Sequence, residues 1–276
     1  KILYGAEIML GYDRCVRIAE NRGVAPEVIE NDYLVEAVLT AVSQDSFLSE
    51  MFVFRGGTCL HKVYFNEYRF SEDLDFIFSA DISVNTVNTN MIRILEQLKK
   101  ECPGILGWEE QKEKDRLQIF VNHNIIPENS KKKKQLKIDI CASAEMPGFA
   151  VKRLNLVYDE FISPVKTMRV CIPESIIADK ISRIKSINKE ARDIYDLKYL
   201  YESDVNPVLI EKEFRKNNFY GVGIKDLLDK IKGREFKTVW EKRLGHQMQN
   251  LPDFDEYIRG LQEVIKRKYK DLFDEE

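Results

Sequence analysis

Asp73 and Asp75 lie in the stretch RFSEDLDFIFS, and a glycine pair, Gly56 and Gly57, precedes them in VFRGGTCLHKVYF. On a strand, residues i and i+2 point to the same face, so a strand over 73–79 brings the two carboxylates side by side. Carboxylates so placed repel each other unless a cation sits between them. Mg²⁺ suits that position, because it takes oxygen ligands and commonly binds one or two carboxylates together with substrate phosphates. The plain alternative is a solvated acidic strand edge, which explains poorly why Leu74, Phe76 and Phe78 follow as an apolar face.

The glycine pair suggests what the metal would work on. Strand, then Gly-Gly, then helix is a physical recipe for holding phosphate. Glycines let the backbone turn tightly and let a ligand come close. The helix that follows offers free N–H groups and the positive end of its dipole. The Thr58 hydroxyl adds a possible donor. Arg69 and Ser71 share the face of the aspartates if the strand starts early, and Glu72 points the other way. Taken alone, Gly-Gly reads equally as a simple turn; with the aspartates downstream, a metal–nucleotide site is the better reading.

These residues need a scaffold, and the pattern supplies one. Residues 5–22 read as a helix with Gly23 as its C-cap. Pro26 opens a second helix that continues through IENDYLVEAVLTAV. MFVF (51–54) reads as a short buried strand, TCLHKVYF as a short helix and DLDFIFS (73–79) as a strand. Ser83–Glu101 reads as a helix, RLQIFVNHNI and QLKIDICAS alternate like strands, and KTMRVCI (166–172) adds another. PENSKKKK between two of these reads as a loop. From Pro173 onward the pattern is helical. The expected organisation is therefore a mixed α/β part over 1–165 and a mainly helical part over 166–276.

Composition limits the alternatives. The chain's 276 residues suffice for one large domain or two small ones with a real core. With 43 Lys and Arg against 46 Asp and Glu, the net charge of -3 excludes a generally basic, nucleic-acid-coating surface. The lysine run 131–134, with Lys137, is a local exception; it reads as a solvated loop or as a grip on RNA phosphates. Five scattered cysteines without a CxxC pair fit a reduced, cytoplasmic protein. The three histidines show no zinc spacing, no signal-peptide pattern is read, and no apolar run approaches the ~20 residues of a membrane span.

Several motifs in order carry a resemblance. GGT.L.K.Y, then R.SEDLDF, resembles the first motif of nucleotidyltransferases with the DNA polymerase β fold. More narrowly it resembles the AbiEii-type toxins of bacterial abortive-infection toxin–antitoxin systems. The upstream IENDYLV and the downstream PESIIADKISRI…RDIYDL resemble that family too, so the match runs from about residue 29 to about 200. The resemblance implies an α/β (α+β) core with a mixed sheet, followed by a helical part that completes the active site. It implies that Gly56, Gly57, Thr58 and Ser71 hold a nucleoside triphosphate and that Asp73 and Asp75 hold Mg²⁺, with Mn²⁺ as a substitute. Lys180 would contact phosphate, and Asp193 would sit near the nucleotide or act on the attacking group, with Asp196 as a capping or orienting neighbour. Polymerase-β-like enzymes use a third carboxylate on a neighbouring strand to bind metal or take a proton, and Asp139 in LKIDI stands where that acid would be. From its residues alone, Lys180 reads as a solvated helix lysine. The implied function is Mg²⁺-dependent transfer of a nucleotide to an acceptor hydroxyl, with tRNA or another RNA as acceptor, by a toxin restrained by an antitoxin. Protein nucleotidylation and a nucleotide-binding regulator without transfer are the alternatives.

Overall fold

The computed structural model describes residues 10–129, 134–186, 190–217 and 220–273. The chain divides into two compact units, Lys1–Val170 and Cys171–Glu276.

The first unit holds a mixed sheet. Among the described residues its strands are β1 (Val53–Arg55), β2 (Asp73–Ser79), β3 (Ile105–Lys112), β4 (Arg116–His123), β5 (Lys134–Ser143), β6 (Phe149–Arg153) and β7 (Thr167–Cys171), in the spatial order β3-β4-β5-β2-β1-β7-β6. Strand β2 lies inside the sheet, antiparallel to β1 and parallel to β5. Alternation sets its two faces: Leu74, Phe76 and Phe78 are buried, as are Leu136, Ile138 and Ile140 of β5 and Leu117, Ile119 and Val121 of β4.

The helices of this unit are α1 (Tyr12–Arg22), α2 (Pro26–Gln44), α3 (Ser46–Met51), α4 (Gly56–Cys59), α5 (Val84–Glu101) and α6 (Asp159–Ile162). Helix α2 starts at Pro26, whose fixed φ and missing N–H suit a first helical position. It is buried from Ile29 to Val42 except at Asn31. A helix enclosed on all sides must satisfy any charge it carries, and α2 carries Glu30, Asp32 and Glu36. Residues 51–54, expected as one strand, divide: Met51 ends α3 and the strand begins at Val53. The expected helix after the glycines is α4 followed by a π-helical turn, Leu60–Tyr64.

The second unit contains α7 (Pro173–Lys185), α8 (Ala191–Glu202), α9 (Pro207–Asn217), α10 (Ile224–Lys230), α11 (Arg234–Leu244) and α12 (Phe254–Lys268). Its core is made of apolar helix faces such as Ile177, Ile181 and Ile184 of α7, Ile194, Leu197 and Leu200 of α8, and Leu261 and Ile265 of α12. Among the described residues no helix is long and apolar enough to cross a membrane.

Candidate active site

The glycine turn and the aspartates meet at the junction of β1 and β2. Arg55 pairs in register with Asp75, so the chain turns at Gly56 directly beside that carboxylate. Gly56 has φ +81°, a left-handed conformation that favours glycine, and a Cβ there would stand 2.3 Å from Asp75 Oδ2. At Gly57 a Cβ would meet Arg69 Nη2 at 2.7 Å and Ser71 Oγ at 3.0 Å. A side chain at either position would have to push one of these groups aside, and the backbone of the turn lies against an acid, a guanidinium and a hydroxyl. Thr58 is buried, and its hydroxyl donates to the Asp73 carbonyl, tying α4 to β2. Its one hydroxyl proton is thereby committed to the join between helix and strand.

Asp73 and Asp75 share one face of β2, opposite the buried Leu74 and Phe76. Beside Asp73 lies a cavity of about 290 Å³, lined in part by Asn31, Ser71, Glu72 and Gln135. That cavity, which His123 and Lys134 also line, does not reach Asp75 or the glycines; the two aspartates themselves offer oxygen donors beside the glycine turn, which fits a hard divalent cation completed by substrate phosphates. Among the described residues no three His, Cys, Asp or Glu side chains gather into a metal-holding group.

Asp139 is the register partner of Asp75 across the parallel β2–β5 pair and shares its face. Its carboxylate is turned onto other donors. Arg116 of β4 reaches it through Nε at 2.8 Å and Nη2 at 2.5 Å, Lys137 Nζ lies 3.1 Å away, and Gln118 Nε2 donates at 3.2 Å. Burial works against its charge, but the hydrogen bonds from Arg116 and Lys137 outweigh that and hold the carboxyl well below the usual range.

In the second unit, Lys180 is buried on α7, with Nζ 3.0 Å from Asp193 Oδ1 and 2.6 Å from Asp196 Oδ2. The two acids are three apart on α8 and so lie on one face. Arg183 Nε stands 3.0 Å from Asp193 Oδ2. The solvated-lysine reading of residue 180 is thus corrected: spacing on α7 turns it inward beside Ile177, Ile181 and Ile184, and two carboxylates satisfy its charge there. Arg192 pairs with Glu190 and Asp193 with Lys180 and Arg183.

Two further charge clusters escape a reading of the sequence. Lys62, in the π-turn, is enclosed with Nζ 2.8 Å from both Asp32 and Glu36 of α2. Glu36 also accepts the backbone N–H groups of Val157 and Tyr158, and the Tyr158 hydroxyl donates to Asp32. Lys134, the last of the lysine run, is no solvated loop residue. It opens β5 and donates to Glu30 at 2.6 Å and to the Ile126 carbonyl at 2.9 Å. Lys131 to Lys133 lie outside the described residues. The one available signal was the repeated acid on an otherwise apolar α2, since a buried acid requires a partner.

A comparison with curated protein sequences finds no match. Among solved structures, the chain is similar to JHP933 from Helicobacter pylori, with a TM-score of 0.56 at 18% identity over 91% of this chain and 96% of that one. It is also similar to MenT4, a nucleotidyltransferase toxin from Mycobacterium tuberculosis, with a TM-score of 0.56 at 16% identity over 91% of this chain and 87% of that one. At such identities the likeness is one of fold, and it agrees with the mixed α/β architecture. Residues 37–260 match the sequence profile of the family described as nucleotidyl transferase AbiEii toxin, type IV toxin–antitoxin system. That span takes in the glycine turn, both aspartates, Asp139, Lys180 and Asp193, and the chain belongs to the AbiEii nucleotidyltransferase toxin family.

Proposed function

We propose that the protein transfers a nucleotide from a nucleoside triphosphate to an acceptor hydroxyl, with Asp73 and Asp75 as the metal-binding pair. The observation that carries this is the join at β1 and β2, where a glycine turn, left-handed at Gly56, packs its backbone directly against Asp75 and Ser71. The backbone at Gly56 and Gly57, with Ser71, holds the triphosphate, while Thr58 fixes the turn to β2 through its bond to Asp73. When bound, Mg²⁺, or Mn²⁺ in its place, neutralises charge on the phosphates and lowers the barrier to their transfer. The acceptor oxygen bonds to the α-phosphorus as the bond from that phosphorus to its bridging oxygen breaks. Pyrophosphate leaves with the electron pair, and the hydroxyl proton passes to a base. We assign Lys180 to balancing phosphate charge and Asp193 to the nucleotide or the attacking group. The acceptor is RNA, with tRNA the first to test, and the cellular setting is a cytoplasmic toxin held in check by an antitoxin.

The test is incubation with each labelled nucleoside triphosphate, Mg²⁺ and total RNA. Label should appear on RNA with the wild type and vanish with Asp73→Ala and Asp75→Ala, both still folded by circular dichroism. Near-normal turnover in either folded variant would refute the metal assignment, and label on protein alone would move the acceptor to another class.

A further inference from the structure

We infer that Asp139 seats a pair of cations, Arg116 and Lys137, that receive a phosphate group of the acceptor, and that it does not serve as a third metal ligand. The inference rests on the reaction proposed above. In phosphoryl transfer the attacking and leaving oxygens lie roughly in line across the phosphorus. If pyrophosphate sits at the glycine turn, the acceptor must approach from the opposite side. The sheet order determines which side that is. The turn follows β1 on one flank of β2; β5 and then β4 lie on the other. The face that carries Asp73 and Asp75 continues across that flank through register partners: Lys137 beside Asp73, Asp139 beside Asp75, and Gln118 beside Asp139. Arg116, paired with Cys141, closes the row. An acceptor arriving in line therefore meets Lys137, Gln118 and Arg116.

The charges on this flank suit a phosphate. Asp139 faces two cations, so with Asp73 and Asp75 given to the metal in the proposed reaction, this flank keeps one positive charge in excess. The Asp139 side chain is 10% exposed, whereas those of Arg116 and Lys137 are 39% and 33% exposed. The acid is thus covered and the cations reach solvent. Arginine offers a planar fork of donors, so a guanidinium held at Nε and Nη2 by Asp139 is fixed in direction and carries further N–H groups. A metal drawn to Asp139 would first have to displace Arg116 from a paired contact. A protein hydroxyl brings no charge for this shelf to meet. The end of a nucleic acid strand brings a phosphodiester next to the attacking hydroxyl.

The experiment uses the full chain and the variants R116Q, K137Q and D139N. Mn²⁺ affinity is read by electron paramagnetic resonance titration, and binding of a short single-stranded oligoribonucleotide is read at several salt concentrations. R116Q and K137Q should each weaken oligoribonucleotide binding and flatten the slope of log affinity on log salt by roughly 0.7. Mn²⁺ affinity should stay within about twofold in all three variants, a change of about 0.4 kcal/mol or less. D139N should weaken the oligoribonucleotide as well, because the cations lose their seat. A tenfold or greater loss of Mn²⁺ affinity in D139N, about 1.4 kcal/mol, would make Asp139 a ligand and overturn the inference. Unchanged salt slopes in both R116Q and K137Q would overturn it too, and these two half-exposed positions keep the test alive if D139N does not fold. A wild type that binds Mn²⁺ and transfers label while R116Q and K137Q behave like it sinks the inference alone. A wild type that does neither sinks the proposed reaction with it.

Discussion

Lys62 and Lys180 sit in clusters built to one plan. Each is a buried lysine whose ammonium lies between two carboxylates that stand one turn apart on a single helix: Asp32 and Glu36 on α2, Asp193 and Asp196 on α8. The surroundings differ. Around Lys62 the acids are committed to the fold, since Glu36 accepts two backbone N–H groups and Asp32 accepts the Tyr158 hydroxyl. Burial works against the charge on Lys62, and the two carboxylates outweigh it and raise the lysine above its usual range. Around Lys180 one acid also meets Arg183, a side chain that is 44% exposed, so that cluster is linked to a residue in contact with solvent. The same arrangement of charges is therefore a clasp between α2, the π-turn and residues 157–158 in one place, and in the other a cluster joined through Arg183 to the solvent, the one to which the proposed reaction assigns a role. A lysine between two acids is not by itself evidence of chemistry; what else the acids hold decides.

The sharpest way to break this comparison is to remove each cation in turn. Lys62→Met leaves Asp32 and Glu36 buried without their counter-charge. Breaking a buried pair in this way costs about 3–5 kcal/mol, so urea unfolding should show a loss of that order and a lower midpoint. The fraction still folded should keep its nucleotide affinity. A stability change under ~1 kcal/mol would mean the cluster is no clasp, since substitutions away from such features usually stay near that range.

Lys180→Met should cost less stability, about 1–3 kcal/mol, because Arg183 remains on Asp193. Its larger consequence is on transfer, where loss of one charge-stabilising group typically lowers kcat by about 10²-fold or more. Lys180→Arg should not fully restore turnover, because a planar guanidinium places its charge differently from a compact ammonium. If Lys180→Met keeps full turnover and nucleotide affinity, Lys180 is a second clasp and the contrast with Lys62 disappears.

The sequence made one cluster readable and hid the other for a physical reason. Asp73 and Asp75 show a spacing that only a strand makes meaningful, and the strand is visible because Leu74, Phe76 and Phe78 alternate with them. Lys180 stands among apolar residues at helical spacing, but lysine on a helix is solvated so often that the family resemblance had to reverse the reading. For Lys62 the glycine-turn motif marked the position but not its partners, which lie 26 and 30 residues away and meet it only because the π-turn and α2 pack together. The same logic explains the strands that went unread. Strands β3 and β6 are the two edges of the sheet, and both are largely exposed, so neither carries the alternation that reveals a half-buried strand. Lys134 was grouped with its neighbours in a run, and composition cannot tell that one member of a run turns inward to Glu30.

The smallest expected effect concerns His61, which belongs to the first cluster. Its Nδ1 lies 3.8 Å from Asp32, its ring meets Phe70 edge-on at 5.3 Å, and Phe70 precedes Ser71 of the candidate site. Burial first, and then the charge of Lys62, lower its pKa from 6.5 to about 3. The folded protein thus keeps this imidazole neutral, while the unfolded chain protonates it below about pH 6.5. Between those two values the unfolded state binds the extra proton, so stability falls as pH falls, by up to ~1.4 kcal/mol per pH unit from this group. Above pH 6.5 both states are neutral and the group contributes no slope. His61→Asn removes the titration, so its stability should decline less steeply than that of the wild type between pH 6.5 and 5, with the two curves parallel from pH 7 to 8. The measurement is urea unfolding at half-unit pH steps for both proteins. Equal slopes below pH 6.5 would show that His61 titrates normally in the folded state, and that the enclosure around Lys62 is open enough to admit a second positive charge. In that case the Lys62 cluster would resemble the Lys180 cluster, and the distinction between a closed clasp and a cluster joined to the solvent would have to rest on the two lysine substitutions alone.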